Sequence, residues 1–411
     1  MRITIPLGRE VPFISEALRD QPQFMFRLIA DQDRAVLGIG LHRSLERPLF
    51  DAKGRAQDWC FGKLCYEWKS PHQVGSGAVS DAQNDALAEW YTPRWVIEWN
   101  AGNAVLHAFP DDGGTTQDLL PLLRVPVIQR TATLDSTWTE HTDRATYLTH
   151  AEALLRHIQR GDIYEVNYCI ERSTHLPDLD PFSAFVQLME RTKAPFAGFY
   201  READQFALCA SPERFLAFDH DRVVGEPMKG TRPRSADPVE DERVRSELQH
   251  DRKERSENIM ALDVMRNDLS RIASSGSVVV EELCAVRTYP NVHQMVSTVS
   301  ARIREGSDAY MVLEAAFPMA SMTGAPKESA MHLIREHEVA PRGLYSGSLG
   351  FFAPDGTGDL NVVIRTVLYN TITEIASLRT GSALTAQCDP EREWDECTVK
   401  ARSVTHALDH A

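Results

Sequence analysis

The sequence predicts a mixed α/β fold, and three observations predict it. Short segments of alternating apolar residues, of which Phe61–Trp68 and Arg94–Trp99 are the clearest, are typical of strands. The stretch from Lys253 to Arg271 instead carries apolar residues at steps of three and four, which indicates an amphipathic helix. A second helix with this spacing follows Asp389 near the end of the chain.

The composition is that of an ordinary globular protein and argues against several functions. Hydrophobic residues make up 43% and charged residues 25% of the 411 residues. The formal net charge of −15 argues against a nucleic-acid partner. No apolar run approaches the ~20 residues that span a bilayer, and the N-terminus lacks a signal-peptide core, so we expect a cytoplasmic protein without a membrane partner. The seven cysteines include no Cys-x-x-Cys pair, which is typical of a reduced protein and predicts no zinc site.

Two acidic residues stand out on the helix predicted for Lys253–Arg271. Glu254 and Glu257 are three residues apart and are expected to project together, on the side opposite the apolar stripe. Such a pair either faces water, which is the commoner case for helical glutamates, or lines a site. The apolar stripe consists of Ile259, Leu262, Met265, Leu269 and Ile272.

The helix near the C-terminus carries a second pair of this kind. Asp389 is its expected cap and Pro390 its first residue. Glu393, Glu396 and Lys400 follow the margin of its buried face, which is formed by Trp394, Cys397, Ala401, Val404 and Leu408. Four carboxylates without a His or Cys cluster favour Mg²⁺, which prefers oxygen ligands. The alternative is that two such pairs arise by chance among 59 acidic residues.

Three further stretches offer groups that can bind an anion. Gly225–Arg234 is predicted to be a fixed loop, and Lys229 within it either is solvated, faces an anion, or is a nucleophile whose pKa neighbouring cations lower. Thr323–Ala325 precede a predicted helix, so their backbone N–H groups can hold a carboxylate unless the helix is simply capped. Arg365 lies in the apolar strand Leu360–Leu368 and needs a buried anion. From the residues alone, the chain is predicted to be an α/β enzyme that binds a small multivalent anion through Mg²⁺.

These stretches are similar to the motifs of a known family. From about residue 140 onward, the chain resembles the chorismate-utilising enzymes, which include anthranilate, aminodeoxychorismate, isochorismate and salicylate synthases. So many motifs in one order make coincidence implausible. The matching stretches are Gly161–Asn167, Ser211–Glu213, Pro227–Thr231, Glu257–Met260, Arg266–Asp268, Thr323–Lys327, Arg342–Gly347, Ile364–Thr366 and Glu393–Lys400.

The resemblance implies an α+β fold in which two large antiparallel β-sheets pack together, with helices outside and the site in a cleft between the sheets. Residues 1–135 would form an N-terminal subdomain that matches the family loosely, and residues 136–411 would form the chorismate-binding catalytic region. Glu257 and Glu396 would hold Mg²⁺, and Glu254 and Glu393 would support them.

The same resemblance implies roles around the substrate. The groups that would hold its carboxylates are Tyr345, Arg365, the Gly381 backbone and Lys400, with Thr231 nearby and Thr323 at the helix N-terminus. Glu213 would be the general acid that assists departure of the C4 hydroxyl, and His293 would lie over the ring.

Two positions distinguish the branches of the family. Lys229 resembles the lysine of aminodeoxychorismate synthases, where anthranilate synthases have alanine. This lysine would attack C2 of chorismate and expel the C4 hydroxyl, and ammonia would then attack C4 and release the lysine. Glu165 stands where isochorismate synthases have a lysine and amine-incorporating members usually have glutamine, so we expect it to help handle ammonia or water.

The sequence is therefore most similar to the aminodeoxychorismate synthase component I branch, which makes 4-amino-4-deoxychorismate on the route to p-aminobenzoate and folate. We find no glutaminase-like segment in the sequence, so ammonia is expected from solution or from a separate glutamine amidotransferase subunit. Anthranilate synthase component I is the main alternative. A Mg²⁺-dependent phosphoryl-transfer enzyme and a non-catalytic chorismate-binding subunit are more distant ones.

Overall fold

The computed structural model describes residues 2–9, 11–69, 86–128, 130 and 137–408. The strands of this part are β1 Ile3–Gly8, β2 Gln23–Ile29, β3 Arg34–Leu45, β4 Cys60–Leu64, β5 Ala88–Asn100, β6 Asn103–Ala108, β7 Thr139–Glu140, β8 Glu165–His175, β9 Gly198–Glu202, β10 Gln205–Cys209, β11 Arg214–Asp219, β12 Arg222–Gly225, β13 Met228–Pro233, β14 Val279–Thr288, β15 Val292–Arg302, β16 Gly324–Ala325, β17 Ser348–Phe352, β18 Thr357–Asn361, β19 Thr366–Asn370 and β20 Ile375–Thr385. The helices are α1 Gly113–Leu123, α2 Arg144–Arg160, α3 Pro181–Thr192, α4 Pro238–His250, α5 Arg252–Ser270, α6 Ala309–Ala316, α7 Lys327–His337 and α8 Pro390–Leu408.

The strands pair antiparallel and form two branches that share β5. The first branch runs in the order β1-β6-β5-β3-β2-β9-β10-β19-β20-β8, with the short strands β7 and β16 beside β8. The second branch leads from β5 through β4, β17, β18, β11 and β12 to β15, which also pairs with β13 and β14.

The two branches pack face to face around an apolar core. Met25 and Val36 of the first branch belong to the same buried cluster as Phe61, Leu349 and Phe351 of the second. Residues of β2 and β4 therefore form one core with residues of β17, although they are far apart in the chain.

Helices cover the opposite faces of both branches. Leu262 and Met265 of α5 pack in a cluster with Val299 of β15. Val404 of α8 belongs to a cluster that also contains Val367 of β19. The predicted α+β class, with two packed antiparallel sheets and helices outside, is confirmed.

Helix α5 is present as predicted, but the residues on its buried face differ from the predicted ones. Asp251 caps it, because the Asp251 side chain accepts the N–H groups of the first turn at 2.9 and 3.1 Å. Ile259 was expected to be buried and is 41% exposed. Glu257 was expected opposite the buried stripe and is only 6% exposed. The buried arc is centred on positions such as Ala261 and Met265, and Glu257 lies at its edge, where α5 faces the interior.

Two other predicted elements differ from the structure. The single strand expected over Leu360–Leu368 is broken between β18 and β19, and Arg365 has a left-handed backbone there, with φ of 52°. The fixed loop expected over Gly225–Arg234 contains strand β13, because β15 supplies pairing partners for it. Gly230 interrupts this pairing with φ of 78°, and a side chain at this position would contact Glu254.

Helix α2 is capped by Asp143, buries one stripe of apolar residues and ends at Gly161. The C-terminal helix α8 begins at Pro390 after Asp389, as predicted. The expected boundary between residues 135 and 136 stays a prediction, since residues 131–136 lie outside the described residues. No helix in the described ranges is long and apolar enough to cross a membrane.

Candidate active site

A cavity of about 590 Å³ opens between the two branches of the sheet. Strands β8 and β20 of the first branch and β13 and β15 of the second line it, and α5 and α8 close its sides. The cleft implied by the family resemblance is therefore present. The charged residues that line it are Glu213, Lys229, Arg232, Lys253, Glu254, Glu257, Arg365, Arg379, Glu393, Glu396 and Lys400.

Lys229 of β13 forms a buried ion pair with Glu165 of β8. The distance from Lys229 Nζ to Glu165 Oε1 is 2.5 Å, and the two side chains are 9% and 4% exposed. Burial alone would lower the pKa of Lys229, but the carboxylates of Glu165, Glu257 and Glu213 outweigh burial and raise that pKa. The resting amine is therefore protonated and held by Glu165.

The cations that follow Lys229 in sequence do not lower the pKa of its amine. Arg232 donates to Glu254 at 3.2 Å, and Arg234 donates to Asp241 at 2.8 Å. Their charges are thus largely compensated by their own partners. The expectation that neighbouring cations depress the Lys229 pKa is wrong, so loss of its proton needs a nearby acceptor.

Glu213 faces the cavity from the turn before β11. It is 5% exposed, and burial raises its pKa to about 7, although the nearby Ser321 hydroxyl and the charge of Lys229 act in the opposite direction. A carboxyl group with this pKa is protonated in a large fraction of molecules near neutral pH, as a general acid requires.

The two Glu pairs meet in the cavity, one on α5 and one on α8. Glu393 accepts a hydrogen bond from Lys253 at 3.0 Å, and Glu396 pairs with Lys400 at 2.6 Å. Oε1 of Glu257 is buried and has no hydrogen-bond partner in the described structure, with Lys253 3.7 Å away. Burial raises the pKa of Glu257 to about 7.

The chemistry of this donor set suits Mg²⁺. Carboxylate oxygens are the ligands that this ion prefers, and a buried carboxylate oxygen without a partner is costly unless something binds it. Within the described ranges, no group of three or more His, Cys, Asp or Glu side chains is already assembled to hold a metal ion. The ammonium groups of Lys253 and Lys400 contact the α8 carboxylates instead, so a metal ion would have to displace them.

Arg365 offers an unpaired positive charge to the cavity. It lies in the break between β18 and β19, where its left-handed backbone turns the chain. In the part of the chain that the structure describes, no acceptor lies within hydrogen-bond distance of its guanidinium. Burial lowers its pKa, yet a guanidinium stays charged. An anion that enters the cavity would supply the missing partner.

Four other predicted substrate contacts also line the cavity, namely Thr231, Tyr345, Gly381 and Lys400. Lys400 donates to the Gly381 carbonyl at 2.9 Å, which fixes the ammonium against β20. The Thr231 hydroxyl donates to Gln294 at 2.7 Å. These contacts bring α8, β20, β13 and β15 to one site.

The structure does not bring His293 or Thr323 into the cavity. Side chains alternate along β15, so Gln294 lines the cavity and the buried ring of His293 bonds Asp241 at 2.9 Å instead. Thr323 is fully buried, and its hydroxyl donates to the backbone of the preceding turn at 3.0 Å. The Thr323 N–H was expected to be free and instead donates to the Ala320 carbonyl at 3.3 Å. The carbonyl oxygens of Thr323 and Ala325 accept N–H groups of Asn167 and Tyr164, so this stretch pairs with β8.

Gln294 and Lys253 are among the cavity side chains that were not predicted from the sequence. Gln294 donates to the Gly230 carbonyl at 2.8 Å and so holds the irregular part of β13. Lys253, which bonds Glu393, precedes Glu257 by four residues and therefore lies on the same side of α5. This spacing is visible in the sequence and could have indicated Lys253.

Arg342 fixes the inner wall of the cavity. Its guanidinium, 1% exposed, donates to the carbonyl oxygens of Met322 at 2.6 Å and of Asn167 at 2.8 Å. Glu338 accepts a further hydrogen bond at 2.6 Å and compensates the buried charge. Met322 and Asn167 both line the cavity, so Arg342 holds two segments of the cavity wall in place.

One cleft thus contains a buried lysine–carboxylate pair, a carboxyl group with a near-neutral pKa and an unpaired guanidinium. This combination is typical of an enzyme active site that binds an anion. The particular family follows from the sequence profile of the chorismate binding enzymes, which matches residues 25–406. The chain belongs to this family, and the resemblance described from its motifs is confirmed.

Similarity to individual proteins supports this family assignment. The chain is 43% identical over 273 residues to an aminodeoxychorismate synthase of Streptomyces griseus, a match that covers 66% of this chain and 37% of the relative. It is 36% identical over 281 residues to aminodeoxychorismate synthase component 1 of Escherichia coli (strain K12), covering 68% of this chain and 61% of the relative. The matches thus span less than two thirds of the length of these relatives.

A solved structure reproduces the whole fold. Anthranilate synthase component I from Streptococcus pneumoniae TIGR4 superposes with a TM-score of 0.78 at 20% identity, over 98% of this chain and 92% of that one. At this level of identity, the likeness concerns the fold alone.

Proposed function

We propose that this protein aminates chorismate at C4 to give 4-amino-4-deoxychorismate, as aminodeoxychorismate synthases do. One observation carries the proposal: the amine of Lys229 is buried at the cavity that Glu213 also lines, is held by Glu165, and belongs to the stretch Pro227–Thr231 that resembles this branch. The aminodeoxychorismate synthases of Streptomyces griseus and Escherichia coli, described above as relatives, support the same branch.

The substrate would be held by the cations of the cavity. Arg365, which lacks a partner among the described residues, would take one carboxylate of chorismate, and Lys400 and Tyr345 would contact the same part of the molecule. Glu257 and Glu396 would hold Mg²⁺, with Glu254 and Glu393 beside them. The ion would supply positive charge for the ring carboxylate.

Lys229 and Glu213 would carry out the chemistry. The neutral Lys229 amine attacks C2 of the ring, the double bond shifts, and the C4–O bond breaks while protonated Glu213 gives its proton to the leaving oxygen, so that water departs. Ammonia then attacks C4 and expels the Lys229 amine from C2. Glu213 takes the extra proton of the new C4 ammonium and returns to its starting state.

We further propose that a glutamine amidotransferase subunit delivers the ammonia. The Escherichia coli relative bears the name component 1, which implies a second component. Ammonium should replace that partner in the test tube, whereas glutamine alone should give no product.

The test is to incubate the protein with chorismate, Mg²⁺ and ammonium and to identify the product by chromatography and mass spectrometry. We expect 4-amino-4-deoxychorismate, its loss in Lys229→Ala, and no change in Lys53→Ala, which removes an exposed lysine of a turn. Anthranilate as the wild-type product would instead support the anthranilate synthase alternative. Absence of any turnover would support a non-catalytic role.

A further inference from the structure

The ion pair between Lys229 and Glu165 has a property that a lysine–glutamine pair lacks. The ammonium–carboxylate form and the amine–carboxylic acid form contain the same number of protons. Conversion between them is a transfer over the 2.5 Å contact from Nζ to Oε1 and needs no exchange with solvent. Both side chains are almost fully buried. In the described structure, no other carboxylate lies within ion-pair distance of Lys229.

We propose that Glu165 is a catalytic residue that accepts the proton of Lys229 and so generates the nucleophilic amine inside the cavity. The inference rests on the proposed amination of chorismate. Glu165 contacts a reacting atom, Nζ, and a glutamine at this position would hold the amine but could not take its proton.

The proton transfers balance over one turnover. A proton leaves Nζ for Oε1 of Glu165, and the freed electron pair of Nζ forms the bond to C2. The C4–O bond breaks, and the oxygen departs as water with the proton of Glu213. After ammonia has displaced the amine from C2, the neutral Lys229 takes its proton back from Glu165. Glu165 and Lys229 therefore end each cycle as they began it.

This transfer gives the nucleophile an unusual response to pH. In the wild type, the active form of the pair has the same net charge as the resting form, so its fraction does not change with pH while the pair keeps its single shared proton. With glutamine at position 165, the active form is a free amine, whose fraction falls about tenfold for each pH unit below its pKa.

Other groups titrate in the same cavity and must cancel in the measurement. The charged groups that face Lys229 are Glu213 before β11, Lys253, Glu254 and Glu257 on α5, Glu393, Glu396 and Lys400 on α8, Arg365 and Arg379 near β19 and β20, and Arg232 on its own strand. Glu165→Gln leaves all of them in place. The ratio of the wild-type rate to the Glu165→Gln rate at equal pH therefore cancels their shared contribution, except that of Glu257, whose pKa the Glu165 charge raises. Glu165→Asp keeps that charge and so serves as the reference for this effect.

The experiment measures the rate at which chorismate, without ammonia and with saturating Mg²⁺, forms a covalent adduct on Lys229. Intact-protein mass spectrometry follows the adduct from about pH 8 to about pH 6, below the ordinary pKa of lysine. We expect the ratio of wild type to Glu165→Gln to rise about tenfold for each pH unit that the pH falls. Glu165→Asp, which keeps an acid, should show a constant ratio to wild type.

A matched control is Glu202→Gln. Glu202 accepts a hydrogen bond at 2.5 Å from the buried Lys63, is itself 37% exposed, and lies outside the cavity. The ratio of the Glu202→Gln rate to the wild-type rate should therefore not change with pH. A constant ratio for Glu165→Gln overturns the inference, and the proposed function stands if the adduct forms. If Glu165→Gln does not fold, Glu165→Ala tests the same ratio. Absence of any adduct in the wild type overturns both the proposed function and this inference.

Discussion

Replacing Glu213 by glutamine should make the protein more stable at pH 8 while it abolishes the proposed activity. The Glu213 side chain is 5% exposed, and burial raises its pKa from 4.5 to about 7 in the folded protein. Ionised Glu213 therefore opposes folding. Glutamine has nearly the same shape and carries no charge, so it removes this opposition together with the proton that the leaving C4 oxygen needs.

The sign and size follow from proton linkage. Between pH 4.5 and about 7 the folded state binds this proton more tightly than the unfolded state does, so the stability of the wild type falls as the pH rises through that range. At about 1.4 kcal/mol per pKa unit, the full loss is about 3 kcal/mol above pH 7. Glu213→Gln should therefore gain up to about 3 kcal/mol at pH 8 relative to wild type, and almost nothing below about pH 4.5.

Thermal or urea unfolding of wild type and variant, without chorismate or metal and at several pH values, measures this difference. Glu305→Gln, which changes an exposed carboxylate, is the control and should unfold like wild type at every pH. A Glu213→Gln variant that is no more stable than wild type at pH 8, or whose advantage is the same at acidic pH, would refute the burial argument. The activity of the wild type should also fall above pH 7, where Glu213 loses its proton.

Further expected results concern the other residues of the cavity. Lys229→Ala should fold and bind chorismate but lose most 4-amino-4-deoxychorismate, with residual amination at C2 detected by product analysis. Glu257→Gln and Glu396→Gln should each lose nearly all turnover and most Mg²⁺ affinity in calorimetry, and undiminished activity in either would contradict the metal assignment. Arg365→Gln should raise the KM for chorismate by about 10- to 100-fold through loss of a charged hydrogen bond, and an unchanged KM would exclude that contact. Glu165→Lys should gain some addition of water at C2, detected as isochorismate, and its complete absence in a folded variant would count against this position as a water-handling site.

Part of the fold could be predicted because periodicity reports local structure. The buried stripe of α8, from Trp394 to Leu408, agrees with the structure because one helix face packs against one core. Periodicity wrongly predicted that Ile259 is buried. Ile259 is three residues before the buried Leu262, but a step of three residues can also lead from the buried face of a helix to its exposed side. It also missed the break that contains Arg365, across which β18 pairs with β11 and β19 pairs with β10.

The sequence by itself determined the family, the α+β class and the presence of Lys229, Glu213 and two Glu pairs on helices. Only the tertiary structure decided which of these groups meet. Glu165 and Lys229 are 64 residues apart in the chain, and the packing of the two sheet branches brings them to 2.5 Å. The same packing turns Gln294, rather than His293, into the cavity and raises the pKa of Glu213. The physical reason is that side-chain contacts and desolvation depend on strand register and on the packing between sheets, which no local pattern of residues encodes.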